Sequence, residues 1–227
     1  MKESKLDPEL VTVAVDLNVK HLAVITVRQH EHIIETVFVA DHGLDQQRYR
    51  HLKRIAKKQW LSGKPTKGEH SNQQLWRHVR RMNEDAARKV ACNIARVCAR
   101  YPGCVLLFER LRKIKAKVGS KSRRMNRRQA NQLRGEINQY AREQAFLAGT
   151  VTVEVNPHGT SQYCSCCGKL GERFSYQHGQ RVRVRWGKLF WCPHCHSETN
   201  ADWNGSVNVH HSFFQELHWK TRPKRSG

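Results

Sequence analysis

The sequence predicts an α/β fold: a mixed β-sheet flanked by helices, with a small four-cysteine zinc module inserted late in the chain. Two patterns support this prediction. Three β-rich runs open the chain and are followed by helical and strand-like runs in alternation, and two Cys-x-x-Cys pairs stand 24 residues apart. At 227 residues, the chain can form one substantial core together with a small insert.

The first elements are strands. Residues 11–16, 22–27 and 33–39 are rich in β-branched residues and are separated by short polar breaks. Such short connections favour antiparallel pairing, so we expect a three-stranded meander.

Residues 71–101 predict one long helix, because apolar residues recur there at spacings of three and four. Ser71 is a candidate N-cap, and Pro102-Gly103 ends the pattern. The apolar positions are Leu75, Val79, Met82, Ala86, Val90, Ile94, Val97 and Tyr101.

The run 104–108 is short and wholly apolar, as expected of a strand buried on both faces, and Glu109 stands at its end. A helix over 133–148, a strand over 151–155 and a final helix from Trp203 to Phe214 follow. The order is therefore βββ, α, β, α, β, insert, α. An RNase H-like domain uses this order, with the later strands added in parallel to the first.

The remaining segments carry weaker signals. Residues 41–70 are basic and show no clear periodicity, so we interpret them as a peripheral segment with an exposed turn at 62–65. We expect Cys92, Cys98 and Cys104 to lie in the core, since a buried thiol behaves as a small hydrophobe. The polar first ten residues lack the apolar stretch of a secretory signal, which favours a reducing, cytoplasmic location.

Charge indicates the class of partner. The formal net charge is +22, from 41 Lys and Arg against 19 Asp and Glu, and such a field attracts polyanions. Nucleic acid is the leading partner class. A membrane is disfavoured, because no apolar run approaches the roughly 20 residues of a spanning helix.

The two Cys-x-x-Cys pairs predict a zinc ribbon. Cys164, Cys167, Cys192 and Cys195 supply four thiolates at a spacing that closes a tetrahedron on Zn²⁺. Between them, residues 181–186 (RVRVRW) alternate basic and apolar side chains, as in a hairpin with one cationic face. Such a site is structural. Cys166, His194 and His196 are alternative ligands, and a redox dithiol pair is the competing interpretation.

Three acids stand at the ends of predicted core elements: Asp16 after the first strand, Glu109 after the central strand and Asp202 at the start of the final helix. Singly, each is explained as a turn former or a helix cap. In the predicted fold, however, the two strands are neighbours and the last helix packs across them. Converging carboxylates repel one another unless a cation neutralises them, so the cluster predicts bound Mg²⁺ or Mn²⁺.

Four motifs carry a resemblance to a known family: AVDLNVKHLAV around Asp16, VLLFERLRKIK around Glu109, EVNPHGTSQYCSCCG before the ribbon and NADWNGSVNV around Asp202. Together they resemble the successive motifs of TnpB transposon proteins and type V CRISPR effectors. The resemblance implies a RuvC nuclease with Asp16, Glu109 and Asp202 as the metal-binding triad. It also implies a target nucleic acid domain built on the ribbon, a guide RNA and a DNA target.

One feature departs from this family. Its members carry wedge and recognition lobes before the first RuvC motif, whereas 15 residues precede Asp16 here. We therefore expect those lobes to be absent and a partner protein to supply them, unless the chain is an internal product or a transposon remnant.

A basic stretch follows Glu109. Between Arg110 and Arg128 there are ten basic residues and no acid. A run of one sign is costly without a polyanion, and we expect it to contact nucleic acid together with the ribbon hairpin. The expected contacts are Arg112, Lys113, Lys115, Lys117, Arg123, Arg124, Arg127, Arg128, Arg181, Arg183 and Arg185.

These predictions divide the chain into a RuvC-like part at 1–159, a ribbon insert at 160–198, a last motif and helix at 199–217 and a disordered basic tail at 218–227. Two functions compete, and a third, a transposase that joins strands with the same metal chemistry, is disfavoured by the inserted ribbon and the NADWNGSVNV motif. One is a metal-dependent DNA endonuclease acting by two-metal phosphodiester hydrolysis. The other is a zinc-ribbon protein that binds nucleic acid without cutting it.

Overall fold

A computed structural model describes residues 9–18, 21–63, 72–110, 133–184 and 187–214. Its main sheet has the strand order β3-β2-β1-β4-β5. The first three strands pair antiparallel, and β4 and β5 extend the sheet in parallel. The strands are β1 (Thr12–Asp16), β2 (His21–Gln29), β3 (His32–Ala40), β4 (Val105–Glu109) and β5 (Val151–Val155). The predicted RNase H-like arrangement is confirmed.

Helices cover both faces of this sheet. On one face, α2 (Gln73–Ala99) and α3 (Arg134–Leu147) bury Val90, Ile94 and Ile137 against Val15 and Phe108. On the other face, α4 (Ala201–Phe213) packs over β1 and β4, and its Val209 lies fully buried with Ala14 and Leu107. Because side chains alternate along β1, the face that carries Ala14 also carries Asp16.

The structure corrects the interpretation of residues 41–70. A helix, α1 (Leu44–Leu61), occupies most of this segment and packs against α2. Its apolar stripe is narrow, with Ile55 as the one buried aliphatic side chain. Arg48 is also buried, where it forms an ion pair with Asp45 at 3.1 Å and donates to Asn83 Oδ1. Because a buried arginine takes one of the buried positions of this helix, apolar periodicity alone does not predict it.

Two further expectations were wrong in detail. Cys98 and Cys104 are buried as predicted, but Cys92 is exposed, on the outward side of α2. The long helix begins at Gln73 after Asn72, whose side chain makes no capping hydrogen bond, and Ser71 lies outside the described residues. Its carboxyl end is at Ala99, shortly before the predicted stop at Pro102-Gly103.

A second, smaller sheet has the strand order β7-β6-β8-β9 and contains only antiparallel pairs. Its strands are β6 (Glu172–Gln177), β7 (Gln180–Arg183), β8 (Leu189–Trp191) and β9 (Glu198–Asn200). Strand β9 leads directly into α4, so this module is joined without a linker to the helix that covers the main sheet. Among the described helices, none is long and apolar enough to span a membrane.

Candidate active site and zinc ribbon

Strand register places the first two predicted acids side by side. In the parallel pair β1–β4, Val15 lies opposite Phe108, so Asp16 and Glu109 are the next residues of each strand. Asp202 is the second residue of α4, which packs over this part of the sheet. The structure therefore brings together three acids that are far apart in the sequence.

Asp16 is held in a confined position. Its side chain is 8% exposed, and Asn18 Nδ2 donates a hydrogen bond to its Oδ2 at 2.8 Å. On the opposite side is Gly205 of α4, where an added Cβ would stand 2.8 Å from the same Oδ2. A side chain at position 205 would therefore displace the carboxylate, which gives a steric reason for glycine within this helix.

Glu109 and Asp202 are each fixed by a polar neighbour. The Thr160 hydroxyl donates to Glu109 Oε1 at 2.5 Å, and Thr160 itself is 3% exposed. Asn200 caps α4, and its Oδ1 accepts from the backbone N–H of Asp202 at 2.9 Å. Since Asn200 performs the capping, the Asp202 carboxylate is left for other contacts. One of these is with Arg173 Nη1, 3.4 Å from Asp202 Oδ1.

The electrostatics of the cluster are unfavourable to a full set of charges. Burial raises the pKa of Asp16 to about 7, and repulsion from Glu109 and Asp202 adds to this effect. Burial likewise raises the pKa of Glu109, although the Thr160 hydrogen bond and the charges of Arg134 and Arg173 oppose the rise. When all three acids are ionised, the positive charges of Arg134 and Arg173 therefore do not fully neutralise them.

A hard divalent cation suits this set of ligands. Carboxylate oxygens are the preferred ligands of Mg²⁺ and Mn²⁺, and a cation would relieve the repulsion that raises the Asp16 pKa. The carboxylate oxygens are not all within 4.8 Å of one another, a spacing met among the described residues only by the four cysteines. A wider spacing is compatible with a pair of ions about 4 Å apart.

The four predicted zinc ligands form one cluster. The Sγ atoms of Cys164, Cys167, Cys192 and Cys195 all lie within 4.8 Å of one another. Cys164 to Cys195 is 3.6 Å and Cys167 to Cys192 is 3.5 Å. A tetrahedron with Zn–S bonds of about 2.3 Å has edges of about 3.8 Å, so the cluster can hold Zn²⁺.

Neighbouring groups favour the thiolate form at one ligand. Hydrogen bonding from Ser197 lowers the pKa of Cys195 to about 6, and the Ser197 hydroxyl lies 3.2 Å from its Sγ. Zinc binds thiolate, and the hydrogen bonds of Ser197 favour that form at Cys195, whereas burial raises the pKa of Cys167. The alternative ligands Cys166, His194 and His196 do not belong to the cluster whose ligand atoms all lie within 4.8 Å of one another, and the His196 ring packs against Trp191.

Two asparagines of α4 tie the zinc ribbon to the carboxylate cluster. Asn204 accepts from the backbone N–H of Ser165 at 2.9 Å and donates to Tyr163 O at 2.8 Å. Asn208 Nδ2 donates to Thr160 O at 2.8 Å and to Tyr163 O at 2.7 Å. The segment 160–165 is thus hydrogen-bonded along α4. It begins at the threonine that binds Glu109 and contains the first zinc cysteine.

A buried polar network fixes α4 to the sheet beneath the acids. His210 is fully buried and lies between Thr12 Oγ1, at 2.7 Å from Nδ1, and Thr26 Oγ1, at 3.0 Å from Nε2. Ser206 Oγ is 2.7 Å from the same Thr26 hydroxyl. Burial lowers the pKa of His210 to about 3, so its imidazole is neutral and can both donate and accept.

The predicted nucleic-acid contacts divide into two groups. Arg181 stacks on the Trp191 ring at 3.9 Å and pairs with Glu198, whereas Arg183 is 80% exposed beside Glu172. The others, Arg112, Lys113, Lys115, Lys117, Arg123, Arg124, Arg127, Arg128 and Arg185, lie outside the described residues. The expected tail at 218–227 also lies outside them.

Several site residues are not predicted by the sequence. Thr160, Asn204, Gly205 and Asn208 lie within the HGTSQYCSCCG and NADWNGSVNV motifs but had no assigned roles. The available signal was a helix with polar residues on every side, which indicates paired and buried polar groups rather than a solvated surface. Arg173 stands in a ribbon strand and gave no signal.

Comparisons with known proteins agree with this geometry. Residues 135–209 match the family model of the Cas12f1-like TNB domain. The chain is also 31% identical over 230 residues to a TnpB-like protein of Aquifex aeolicus (strain VF5), covering 96% of this chain and 72% of that protein.

Solved structures share the fold. A Cas12f1 chain, in complex with single-guide RNA and target DNA, matches 92% of this chain with a TM-score of 0.59 at 18% identity. An AacC2c1 chain, in complex with single-guide RNA and extended non-target DNA, matches 75% with a TM-score of 0.63 at 14% identity. The present chain spans 51% of the first of these proteins and 22% of the second.

The RNase H-like sheet, the inserted four-cysteine ribbon and the extensive match to the Aquifex protein lead to one assignment: the chain belongs to the TnpB-like family.

Proposed function

We propose that this chain carries the metal-dependent nuclease site of an RNA-guided DNA endonuclease. The observation that supports it most directly is the convergence of Asp16, Glu109 and Asp202, where burial and then mutual repulsion raise the Asp16 pKa. An acidic cluster at the ends of two parallel strands, only partly neutralised by Arg134 and Arg173, is suited to binding cations.

The three carboxylates would hold Mg²⁺ or Mn²⁺. When bound, a pair of such ions activates a water molecule and stabilises the leaving oxygen in phosphodiester hydrolysis. The protein contributes the geometry: Asn18 orients Asp16, Thr160 orients Glu109, and the Asn200 cap fixes the turn that bears Asp202. These fixed contacts keep the ligand oxygens in place before substrate arrives.

We assign the ribbon, bounded by the two cysteine pairs, a structural zinc ion and a share in nucleic-acid binding. Arg183 offers an exposed guanidinium on its hairpin. The net charge of +22 supports sequence-tolerant binding through phosphates, with DNA as substrate and guide RNA as partner.

The test is cleavage of labelled single-stranded DNA by the purified protein, alone and with its guide RNA, in Mg²⁺, Mn²⁺ or EDTA. We expect metal-dependent cutting that Asp16→Ala, Glu109→Ala and Asp202→Ala each abolish. Asp85→Ala is the matched control, since Asp85 is 64% exposed on α2 and pairs only with Lys89 among the described residues. DNA binding should survive in all four variants.

The outcomes separate the two functions. Cleavage that persists in Asp16→Ala would remove the triad from the mechanism. A wild-type protein that binds DNA in a salt-dependent way but never cuts it, with guide and metal present, would instead support the non-cleaving zinc-ribbon protein.

A further inference from the structure

Arg134 lies at the same edge of the sheet as the carboxylates. It is the first residue of α3, which connects the parallel strands β4 and β5. Such a connecting helix runs antiparallel to its strands, so its amino end lies where the strands end. Leu133 and Ile137 anchor this end in the core. Asp16 and Glu109 end β1 and β4 at the same edge.

The Arg134 side chain is close to the acids but forms no ion pair with them among the described residues. Its charge lowers the pKa of both Asp16 and Glu109. Even so, no ion pair within 4.0 Å joins it to an acid among the described residues. Arg173 behaves differently, because its guanidinium contacts both Asp202 Oδ1, at 3.4 Å, and Ala201 O, at 3.5 Å.

One donor of Arg134 is buried and unsatisfied. Its Nε is shielded from solvent and has no hydrogen-bond partner in the part of the chain that the structure describes. An unmade buried hydrogen bond costs roughly 1–3 kcal/mol, and more for a charged group. A structural arginine would be paired, as Arg48 is with Asp45. The Nε of Arg134 lacks an acceptor among the described residues, although it lies beside the acids.

We propose that Arg134 is a substrate-binding residue that donates to non-bridging oxygens of the DNA phosphate held at the carboxylate cluster. This inference rests on the proposed nuclease function. Guanidinium presents parallel N–H donors that match two oxygens of one phosphate. The acids themselves repel a phosphate, so a fixed cation beside them offsets that repulsion and stabilises the charge that develops on the phosphoryl oxygens.

A binding experiment tests the residue without requiring cleavage. Thymidine 5′-monophosphate is titrated in Mn²⁺, and its affinity is measured from the rise in melting temperature. The wild type is compared with Arg134→Gln and with the control variant Arg142→Gln. Arg142 lies on the exposed side of the same helix and pairs with Glu154 at 3.0 Å. We expect about 10- to 100-fold weaker nucleotide binding in Arg134→Gln, from the loss of a charge-assisted contact, and wild-type binding in Arg142→Gln.

The result that overturns the proposal is equal nucleotide affinity in wild type and Arg134→Gln, or no nucleotide binding by the wild type at all. A merely structural arginine would lower the melting temperature without nucleotide but leave the affinity unchanged. If Arg134→Gln does not fold, Arg134→Lys is used in its place. Its single ammonium should bind at least threefold more weakly, and wild-type affinity would contradict the proposal.

Cleavage of single-stranded DNA then separates this inference from the proposed function. In Mn²⁺, Arg134→Gln should lower kcat at least tenfold with a smaller change in KM, because the contact strengthens in the transition state. Unchanged kcat would overturn the catalytic part of the proposal. If the wild type never cuts, the nuclease function fails, and the nucleotide titration alone decides whether Arg134 binds phosphate.

Discussion

Replacing Asp16 with Asn should stabilise the metal-free protein, although it removes a proposed metal ligand. The Asp16 pKa is raised from 3.8 to about 7. A group whose folded pKa is raised stabilises the fold when protonated, and this stability is lost as pH rises through the folded value. At 1.36 kcal/mol per pKa unit, ionised Asp16 costs about 4 kcal/mol at pH 8.

The expected gain is smaller because the site relaxes around the charge. We expect Asp16→Asn to gain at least about 2 kcal/mol at pH 8 in EDTA, or roughly 4 to 8 °C in melting temperature for a chain of this size. The gain should shrink as pH falls below about 7, because folded Asp16 is then protonated. It should vanish below 3.8, where the carboxyl of the unfolded chain is protonated as well. The amide of Asn still offers an oxygen to Asn18 Nδ2.

The assay is thermal unfolding followed by circular dichroism at pH 8 and pH 5, in EDTA and in Mn²⁺. Mn²⁺ should raise the melting temperature of the wild type more than that of Asp16→Asn, since binding to the folded state stabilises it. Asp85→Asn, on the exposed face of α2, should change stability by less than about 0.5 kcal/mol. A destabilised Asp16→Asn at pH 8, or a gain in stability that does not depend on pH, would contradict a raised pKa of Asp16.

Three other predictions concern neighbouring residues. Gly205→Ala should reduce cleavage at least tenfold, because its Cβ would stand 2.8 Å from Asp16 Oδ2; Gly135→Ala, with nothing within 4 Å, should cut DNA normally. Thr160→Val should raise the Mg²⁺ concentration needed for half-maximal cleavage, because Glu109 loses its donor, and Thr160→Ser should restore the wild-type requirement. Elemental analysis should find one Zn²⁺ per chain, absent when Cys192 and Cys195 are both replaced by Ser and retained in Cys166→Ser.

The sequence was sufficient to predict the sheet, the convergence of the three acids and the cluster of four cysteines, because each of these carries a local signal. Strand runs alternate or stay apolar, acids stand where such runs end, and cysteine pairs have a fixed spacing. The connections between these parts were not predictable. Thr160 meets Glu109 across 51 positions, and Asn208 meets Thr160 across 48, so only the folded chain reveals either pair.

Helix α1 and Cys92 failed for a related reason. Periodicity searches count apolar residues, whereas the buried side of α1 includes Arg48, paired with Asp45 and bonded to Asn83. Cys92 lies within a strongly periodic helix, yet its position falls on the exposed side of α2. In both cases the residue type pointed to one environment and the helical geometry to the other.

The packing of α4 across β1 has a consequence for synthesis. His210 contacts Thr12 across 198 positions, and Asp202 reaches the acids of β1 and β4 only through the same helix. A nascent chain can pair its early strands, and before Cys192 is made it has only two of the four zinc ligands. It lacks the third acid until residues 201–213 have emerged from the ribosome. The acidic site is therefore completed last, and a chain that ends before residue 201 would lack its third carboxylate.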